Sequence, residues 1–174
     1  LMLSVRERLE LARKAWNSLR GQMIALQEEL DWECYRLYGL VTGRLSFVTG
    51  HSSLVPGPET NDKGQVTNDL PALALGQRAF EIVLARKMAA GELQTTWFER
   101  HGSTPITDLP ADWPNDYKRL VERRIELIET DRNIGLIEQP EYKRRWNTEP
   151  WTTQLDRALQ NLLLDRLESY FDFD

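Results

Sequence analysis

The sequence predicts a mainly α fold with one helix much longer than the others. Apolar residues recur every three or four positions from Val5 to Leu37, and several stretches after residue 72 show the same helical spacing. The one candidate strand, residues 45–48, has no convincing pairing partner. With 174 residues, 41% of them apolar, the chain is long enough to bury one hydrophobic core.

Residues 1–40 predict the long helix. Its apolar residues fall at alternating intervals of four and three, which is the a/d pattern of a coiled-coil seam. Ser4 is placed to cap its start and Gly39 to end it in a left-handed conformation, whereas Gly21 weakens it by about 1 kcal/mol relative to alanine. We name as the interaction seam Leu9, Trp16, Leu19, Met23, Leu26 and Leu30.

An apolar seam needs a partner that covers it. The C-terminal helix, a second copy of the chain and other parts of a larger protein all remain open as that partner. The chain begins Leu1-Met2-Leu3 rather than with methionine, and we expect it to be a segment of a longer protein.

Residues 41–71 are rich in glycine and proline and predict a long loop or hairpin. Residues 72–174 predict a helical subdomain that belongs to the same structural unit as the long helix. Its first helix is expected to open at Pro71 and to end near Gly91.

The rest of this subdomain is punctuated by proline. Residues 92–114 predict an ordered connection held by buried aromatic side chains, and a helix is expected after Pro114. Pro140 and Pro150 suit the first turns of short helices, and a leucine-rich helix follows to the C-terminus.

Composition narrows the class of protein. The chain has 22 Lys and Arg against 27 Asp and Glu, a net charge of −5, which argues against a wholly basic nucleic-acid coat but permits a local basic patch. The single cysteine excludes an internal disulfide or a cysteine-based zinc cluster. Because no apolar run is long enough to cross a bilayer and no signal peptide opens the chain, we expect no membrane contact and a cytoplasmic location.

Motifs for catalysis within the chain are absent. The sequence has no glycine-rich phosphate loop, no HExxH, and no Pro-Pro pair of the kind that grips a flipped base in DNA amino-methyltransferases. One hypothesis is a hydrolytic site formed by His101 together with Glu99 and Ser103, which lie close to it in sequence. A turn in which His101 acts as a hydrogen-bonding tether is the interpretation that we favour, because triad members come together through the fold rather than through sequence proximity.

Basic residues concentrate in two clusters, near aromatic side chains. Cations supply phosphate contacts and aromatic rings stack on bases, so both clusters are candidates for DNA binding. The first cluster comprises Lys118, Arg119, Arg123 and Arg124, and the second comprises Lys143, Arg144, Arg145 and Trp146.

Several stretches are similar to a known family. Residues 25–40, ALQEELDWECYRLYGL, resemble the ELDxxVYxLYGL segment of large type IIG restriction-modification enzymes and of the adenine-specific methyltransferases of BREX (Pgl) phage-defence systems. Residues 79–88 with 97–105, and residues 121–138 with 143–151, look like a region of the PglX-like methyltransferases rather than of a restriction enzyme.

This resemblance implies a parent protein that uses S-adenosylmethionine to methylate N6 of adenine in a specific DNA sequence. The family's catalytic and cofactor motifs are missing here, so the resemblance implies a non-catalytic, post-catalytic segment without a cofactor of its own. We expect it to support engagement of double-stranded DNA or target recognition, in contact with the rest of the parent or with other phage-defence components. The alternative is a protein-interaction module that docks through the long helix.

Overall fold

The computed structural model describes residues 4–43, 45–47 and 70–171, and within these residues the chain forms six α-helices and one 3-10 turn without a β-strand. The predicted class, mainly α with one dominant helix, is confirmed. Residues 48–69, which include most of the predicted loop and the end of the candidate strand, lie outside the described residues. The helices are α1 (Val5–Leu37), α2 (Ala79–Ala89), α3 (Trp97–His101), α4 (Asn115–Thr130), α5 (Arg132–Ile137) and α6 (Trp151–Phe171), and the 3-10 turn is Pro140–Tyr142.

Both predicted ends of α1 are confirmed. The Ser4 hydroxyl accepts the N–H of Glu7 at 3.3 Å, while the Glu7 carboxylate accepts the N–H of Ser4 at 2.7 Å, which is a capping box. Gly39 has a φ of 70°, and beyond it the N–H of Leu40 donates to the carbonyl oxygen of Tyr35 at 2.9 Å. Local chemistry therefore fixes where this helix starts and stops.

Gly21 has a packing role that its weak helix propensity does not reveal. A Cβ at this position would lie 3.1 Å from the Cβ of Ala72 and 3.3 Å from the carbonyl oxygen of Leu73. The N–H of Leu73 donates to the carbonyl oxygen of Gly21 at 3.1 Å. The missing side chain lets residues 72–73 pass directly over α1.

The predicted start of α2 at Pro71 is wrong, because the helix begins at Ala79. Residues 70–78 are non-helical, and their backbone is held by a turn between Ala74 and Gln77 and by bonds to α1 and to Glu81. Within them Gly76 has a φ of 93°, and an added Cβ would lie 2.5 Å from the carbonyl oxygen of Thr104. The carboxylate of Glu81 accepts the N–H of Gly76 at 2.9 Å and so fixes the turn that leads into α2.

The core forms where α2, α4 and α5 pack together beside α1. Trp97, Phe98 and Trp113 are buried, so the expected aromatic anchoring of residues 92–114 is confirmed. The helix expected after Pro114 is α4, and Pro140 opens the 3-10 turn. The largest fully buried apolar side chains are Trp32, Tyr117, Ile24, Leu45, Leu73, Ile82, Ile134 and Val121.

The long helix buries the face opposite to its interaction seam. Its buried residues are Gly21, Ile24, Ala25, Glu28, Glu29 and Trp32. At about 100° of rotation per residue, these positions lie on the other side of the helix from the leucines of the seam. Leu19, Leu26 and Leu30 remain more than half exposed and Met23 is 43% exposed. Helix α6 meets the seam at Trp16, whose ring centroid lies 6.2 Å from that of Trp151, but none of its own residues is buried and these four side chains stay exposed.

Burial of Glu29 is possible because Arg124 pairs with it. The Nη2 atom of Arg124 donates to Glu29 at 2.7 Å and to the carbonyl oxygen of Leu45 at 2.6 Å, and both charged side chains are at most 2% exposed. The guanidinium also lies over the ring of Trp32 at 5.3 Å. Arg124 therefore joins α4, α1 and the segment at residue 45.

We expect the substitution Arg124→Met to destabilise the chain by about 3–5 kcal/mol, because it leaves the carboxylate of Glu29 buried without a counter-charge. The matched control is Arg119→Met on the same helix, where the exposed pair with Asp116 should change the stability by less than about 1 kcal/mol. Urea unfolding of both variants measures the difference. Equal effects of the two substitutions would contradict a structural role for the buried pair.

Candidate functional site

The second basic cluster is split between the core and the surface. The chain is extended after the 3-10 turn, and Lys143 and Trp146 are buried whereas Arg144 and Arg145 are exposed. Arg78, which is itself paired with Glu81 at 2.9 Å, donates to the carbonyl oxygen of Arg144 at 2.9 Å. This short segment is therefore anchored from inside and presents two arginines outward.

Lys143 cannot serve as the DNA contact that the sequence predicted, because its ammonium group is 3% exposed and already has partners. It pairs with Glu138 and donates to Asp31 and to the hydroxyl of Tyr35, both at 3.0 Å. Burial disfavours its charge, but the carboxylates of Glu138, Glu28 and Asp31 outweigh that cost and raise its pKa above the ordinary value. Lys143 is thus a structural cation.

Glu138 is the most perturbed carboxyl group of this cluster. Burial raises its pKa to about 7, opposed by the charge of Lys143 and assisted by the negative charge of Glu28. One oxygen accepts from Lys143 and from the hydroxyl of Tyr35 at 2.7 Å, while the other has no hydrogen-bond partner among the described residues. Several carboxylates share one buried lysine, so the site favours protonation of Glu138.

The exposed half of the second cluster faces α1 across a groove of about 310 Å³. We call it the arginine–tryptophan groove. Three of its lining residues are arginines and none is acidic, so its electrostatic potential favours an anion. The lining residues are Trp16, Leu19, Arg20, Met23, Arg144, Arg145, Trp146, Asn147 and Thr148.

Two of the three guanidinium groups are held in place by stacking. Arg20 lies over the ring of Trp16 at 4.6 Å and donates to the hydroxyl of Thr148 at 3.2 Å. Arg144 lies over the ring of Trp146 at 4.3 Å. Stacked guanidinium groups keep their edge N–H donors free for a planar or tetrahedral oxyanion and lose less conformational entropy when they bind one.

The structure places Trp146 underneath Arg144 rather than at the surface. Its ring is 9% exposed, and its indole N–H has no partner among the described residues. The predicted role of Trp146 as an open stacking surface for a base is therefore wrong, since the face that a base would use is covered. Its role is to support Arg144.

The first basic cluster offers a weaker site. Arg124 is fully buried and paired with Glu29, so its predicted contact with DNA is wrong. Lys118 donates to the carbonyl oxygen of Ala111 at 2.7 Å, and Arg119 pairs with Asp116 at 2.5 Å. Arg123 is exposed. Helix α4 thus presents cations whose charge is partly compensated by their neighbours.

A larger cavity of about 470 Å³ lies between α2, α5 and residues 92–95. Its lining includes Glu92, Glu138 and Glu141 against one lysine, Lys87. A phosphate would meet net repulsion there, so volume alone does not identify the anion site.

His101 acts as a hydrogen-bonding tether, in agreement with the favoured interpretation of the sequence. Its Nδ1 lies 2.6 Å from the carbonyl oxygen of Trp97, so Nδ1 carries the hydrogen, and its ring stacks on Trp97 with a centroid distance of 3.9 Å. The hydroxyl of Ser103 points to the carbonyl oxygen of Phe98 at 3.5 Å, and Glu99 is exposed. Within the described residues no hydrogen bond joins His101 to Glu99 or Ser103, so the geometry gives the hydrolytic hypothesis no support.

Arg20 belongs to the groove but to neither of the predicted basic clusters. It lies 128 positions before Thr148, and only the fold brings the two together. A signal was present in the sequence, since Arg6, Arg8, Arg13, Lys14 and Arg20 outnumber Glu7 and Glu10 in the first half of α1.

Stability should depend on pH through Glu138. Its pKa in the folded chain lies above the ordinary value of 4.5, so the folded chain binds the proton more tightly, and the free energy of unfolding should fall as pH rises from about 4.5 to 7. The slope from this single group is at most about 1.4 kcal/mol per pH unit. Chemical denaturation of the wild type and of Glu138→Gln at several pH values isolates this contribution, and parallel pH profiles for the two proteins would contradict it.

The described residues contain neither a membrane-spanning helix nor a cluster of metal ligands. None of their helices combines the length and the apolar content required to cross a bilayer. Likewise, no three of their histidine, cysteine and acidic side chains are grouped so that they could hold a metal ion.

Comparison with known proteins identifies a relative of most of the chain. The chain is 49% identical over 161 residues to the adenine-specific methyltransferase PglX of Streptomyces coelicolor, an alignment that covers 92% of this chain and 12% of that protein. The chain thus spans about an eighth of the length of this relative. The similarity to PglX-like methyltransferases that the sequence motifs predicted is confirmed. No solved structure matches the chain.

A family model described as a domain of unknown function (DUF7008) matches residues 23–173. That range contains the core-forming part of α1, the helices α2 to α5, the anchored segment at residues 143–146 and all of α6. The chain therefore belongs to the family of the domain of unknown function DUF7008.

Proposed function

We propose that this chain is a non-catalytic helical segment of a phage-defence, S-adenosylmethionine-dependent methyltransferase that modifies N6 of adenine in DNA. The similarity to PglX over nearly the whole chain supports the parent activity. The segment contributes by holding the DNA backbone. The observation that carries this role is the arginine–tryptophan groove, which is lined by three arginines and by no acidic residue.

The chemistry of the groove suits phosphate and not the cofactor. S-adenosylmethionine carries a sulfonium cation, which Arg20, Arg144 and Arg145 would repel. A phosphodiester oxygen instead accepts from guanidinium N–H groups, and these charge-assisted bonds are stronger than neutral ones. In this proposal the cofactor binds to another part of the longer protein.

The backbone beneath the groove is rigid, which favours a positioning role. Arg78 holds the carbonyl oxygen of Arg144, and Lys143 is fixed in the core. Phosphate contacts set the register and orientation of a protein on a duplex without reading its sequence. We therefore assign to this segment the orientation of the duplex rather than recognition of the target bases.

Neutralising the groove should weaken DNA binding. We expect Arg144→Gln with Arg145→Gln to lower the affinity for a random-sequence duplex and to reduce the slope of log K against log salt by about two, one for each lost phosphate contact. Fluorescence anisotropy at several salt concentrations measures both quantities.

The matched control is Arg157→Gln with Arg166→Gln on the exposed helix α6, which removes the same formal charge away from the groove. It should leave the slope unchanged. A second comparison, Arg119→Gln with Arg123→Gln, tests the first basic cluster. Equal losses in all three double variants would show a net-charge effect only, and an unchanged affinity in the groove variant would refute the assignment.

Self-association is a second candidate function, favoured by the exposed seam of α1. The side chains of Leu26 and Leu30 are 52% and 56% exposed, and an apolar stripe of this length on a monomer marks a protein–protein interface. The partner that we propose for this stripe is a second copy of the chain, since two equal seams can pair around a two-fold axis.

Light scattering after size-exclusion chromatography tests this candidate. We expect a concentration-dependent dimer that is lost in Leu30→Glu and retained in Leu136→Glu, a leucine that is also 56% exposed but lies on α5. A strictly monomeric mass at high concentration would rule out a second copy and leave the rest of a longer polypeptide as the cover for the seam.

A further inference from the structure

We infer that the arginine–tryptophan groove accepts an unpaired nucleotide of a DNA strand, so that single-stranded DNA binds there more tightly than duplex DNA. This inference rests on the proposed function, because it concerns the same groove and adds the class of nucleic acid that the groove takes.

The groove has an apolar wall in addition to its arginines. Leu19 and Met23 of α1 are 57% and 43% exposed, and together with the indole of Trp16, over which Arg20 lies, they form the wall of the groove across from Arg144 and Arg145. A duplex presents only phosphate and sugar to a surface of this kind, and neither group gains from an apolar wall. An unpaired base does gain, since its flat apolar face is exposed to water until it packs on a side chain.

The arrangement of the arginines fits one nucleotide. Arg20 and Arg144 each lie over an indole ring, and apart from the bond from Arg20 to Thr148 their guanidinium N–H groups have no partner among the described residues. A base can stack on such a guanidinium plane while a neighbouring phosphate takes the edge N–H groups. Arg145 has no ion-pair partner within the described part of the chain and adds a third cation beside them.

The size of the groove supports the same class of ligand. A volume of about 310 Å³ is at the lower end of the range that holds small organic ligands. It gives room for one base with its sugar. The bases of a double helix are stacked inside the duplex, so a duplex offers the groove only its phosphates and sugars.

The experiment compares three fluorescein-labelled probes of equal length by anisotropy. They are a mixed-sequence single strand, the corresponding duplex, and a single strand of abasic sites that keeps the phosphates but lacks the bases. We expect the wild-type chain to bind the mixed-sequence strand at least fivefold more tightly than either of the other probes. Equal affinity for the normal and the abasic strands, or tighter binding of the duplex, would overturn the inference.

Variants on the apolar wall separate base contact from charge. Leu19→Ala with Met23→Ala should remove the preference for the normal strand over the abasic strand and leave the salt dependence unchanged. The control pair, Leu26→Ala with Leu30→Ala, lies on the same stripe outside the groove and should retain the preference. All four leucine and methionine side chains are exposed, so these variants should keep the fold.

The outcomes distinguish this inference from the proposed function. If duplex binding is salt-dependent and is weakened by Arg144→Gln with Arg145→Gln, but no probe preference appears, the backbone contact holds and the unpaired-nucleotide inference fails. If no probe binds even at low salt, both fail.

Discussion

Buried ion pairs are the constraint on which the described structure depends. The cations Arg78, Arg124 and Lys143 are each at most 6% exposed, and each is paired with a carboxylate in the core. Moving such charges out of water costs several kcal/mol per ion, which is recovered only when the geometry is good and the remaining polar atoms find partners. Here each cation also binds a further group, such as the carbonyl oxygen of Leu45 or of Arg144, while one oxygen of Glu29 and one of Glu138 have no partner among the described residues. Hydrophobic burial alone would not fix these segments relative to one another so specifically.

The groove is a consequence of that network. Lys143 and Trp146 point inward and Arg144 and Arg145 outward, because an extended chain anchored at its buried positions must expose the residues between them. Stacking on indole rings then orders two of the arginines without neutralising them. A site of this kind combines a rigid backbone with uncompensated charge, which is the combination that phosphate binding requires. The first basic cluster lacks that combination, since one of its cations is buried and another is paired with an acid on the same helix.

The choice of face on α1 follows from the same interactions. Its seam is the more apolar side, and on hydrophobicity alone it would be buried. The opposite face carries Glu28 and Glu29, whose burial is supported at one oxygen of each: Arg124 donates to Glu29, and the N–H of Ala79 and the indole N–H of Trp32 donate to Glu28. On that same face, the missing side chain of Gly21 lets residues 72–73 pack closely against the helix. The leucines that remain outside are then free for a partner, which is why a helical domain of this size keeps a long apolar stripe at its surface.

The sequence by itself determined the helical class, the ends of α1, the aromatic anchors around Trp97 and Trp113, and the similarity to PglX-like methyltransferases. Caps and helical periodicity are local properties, so neighbouring residues suffice to predict them. Only the tertiary structure decided which face of α1 is buried, where α2 begins, and which basic residues reach the surface. These features depend on partners far apart in the chain: Arg124 meets Glu29 across 95 positions, and Arg20 meets Thr148 across 128. Burial and pairing of a charge are set by what packs against it, and no local pattern in the sequence specifies that.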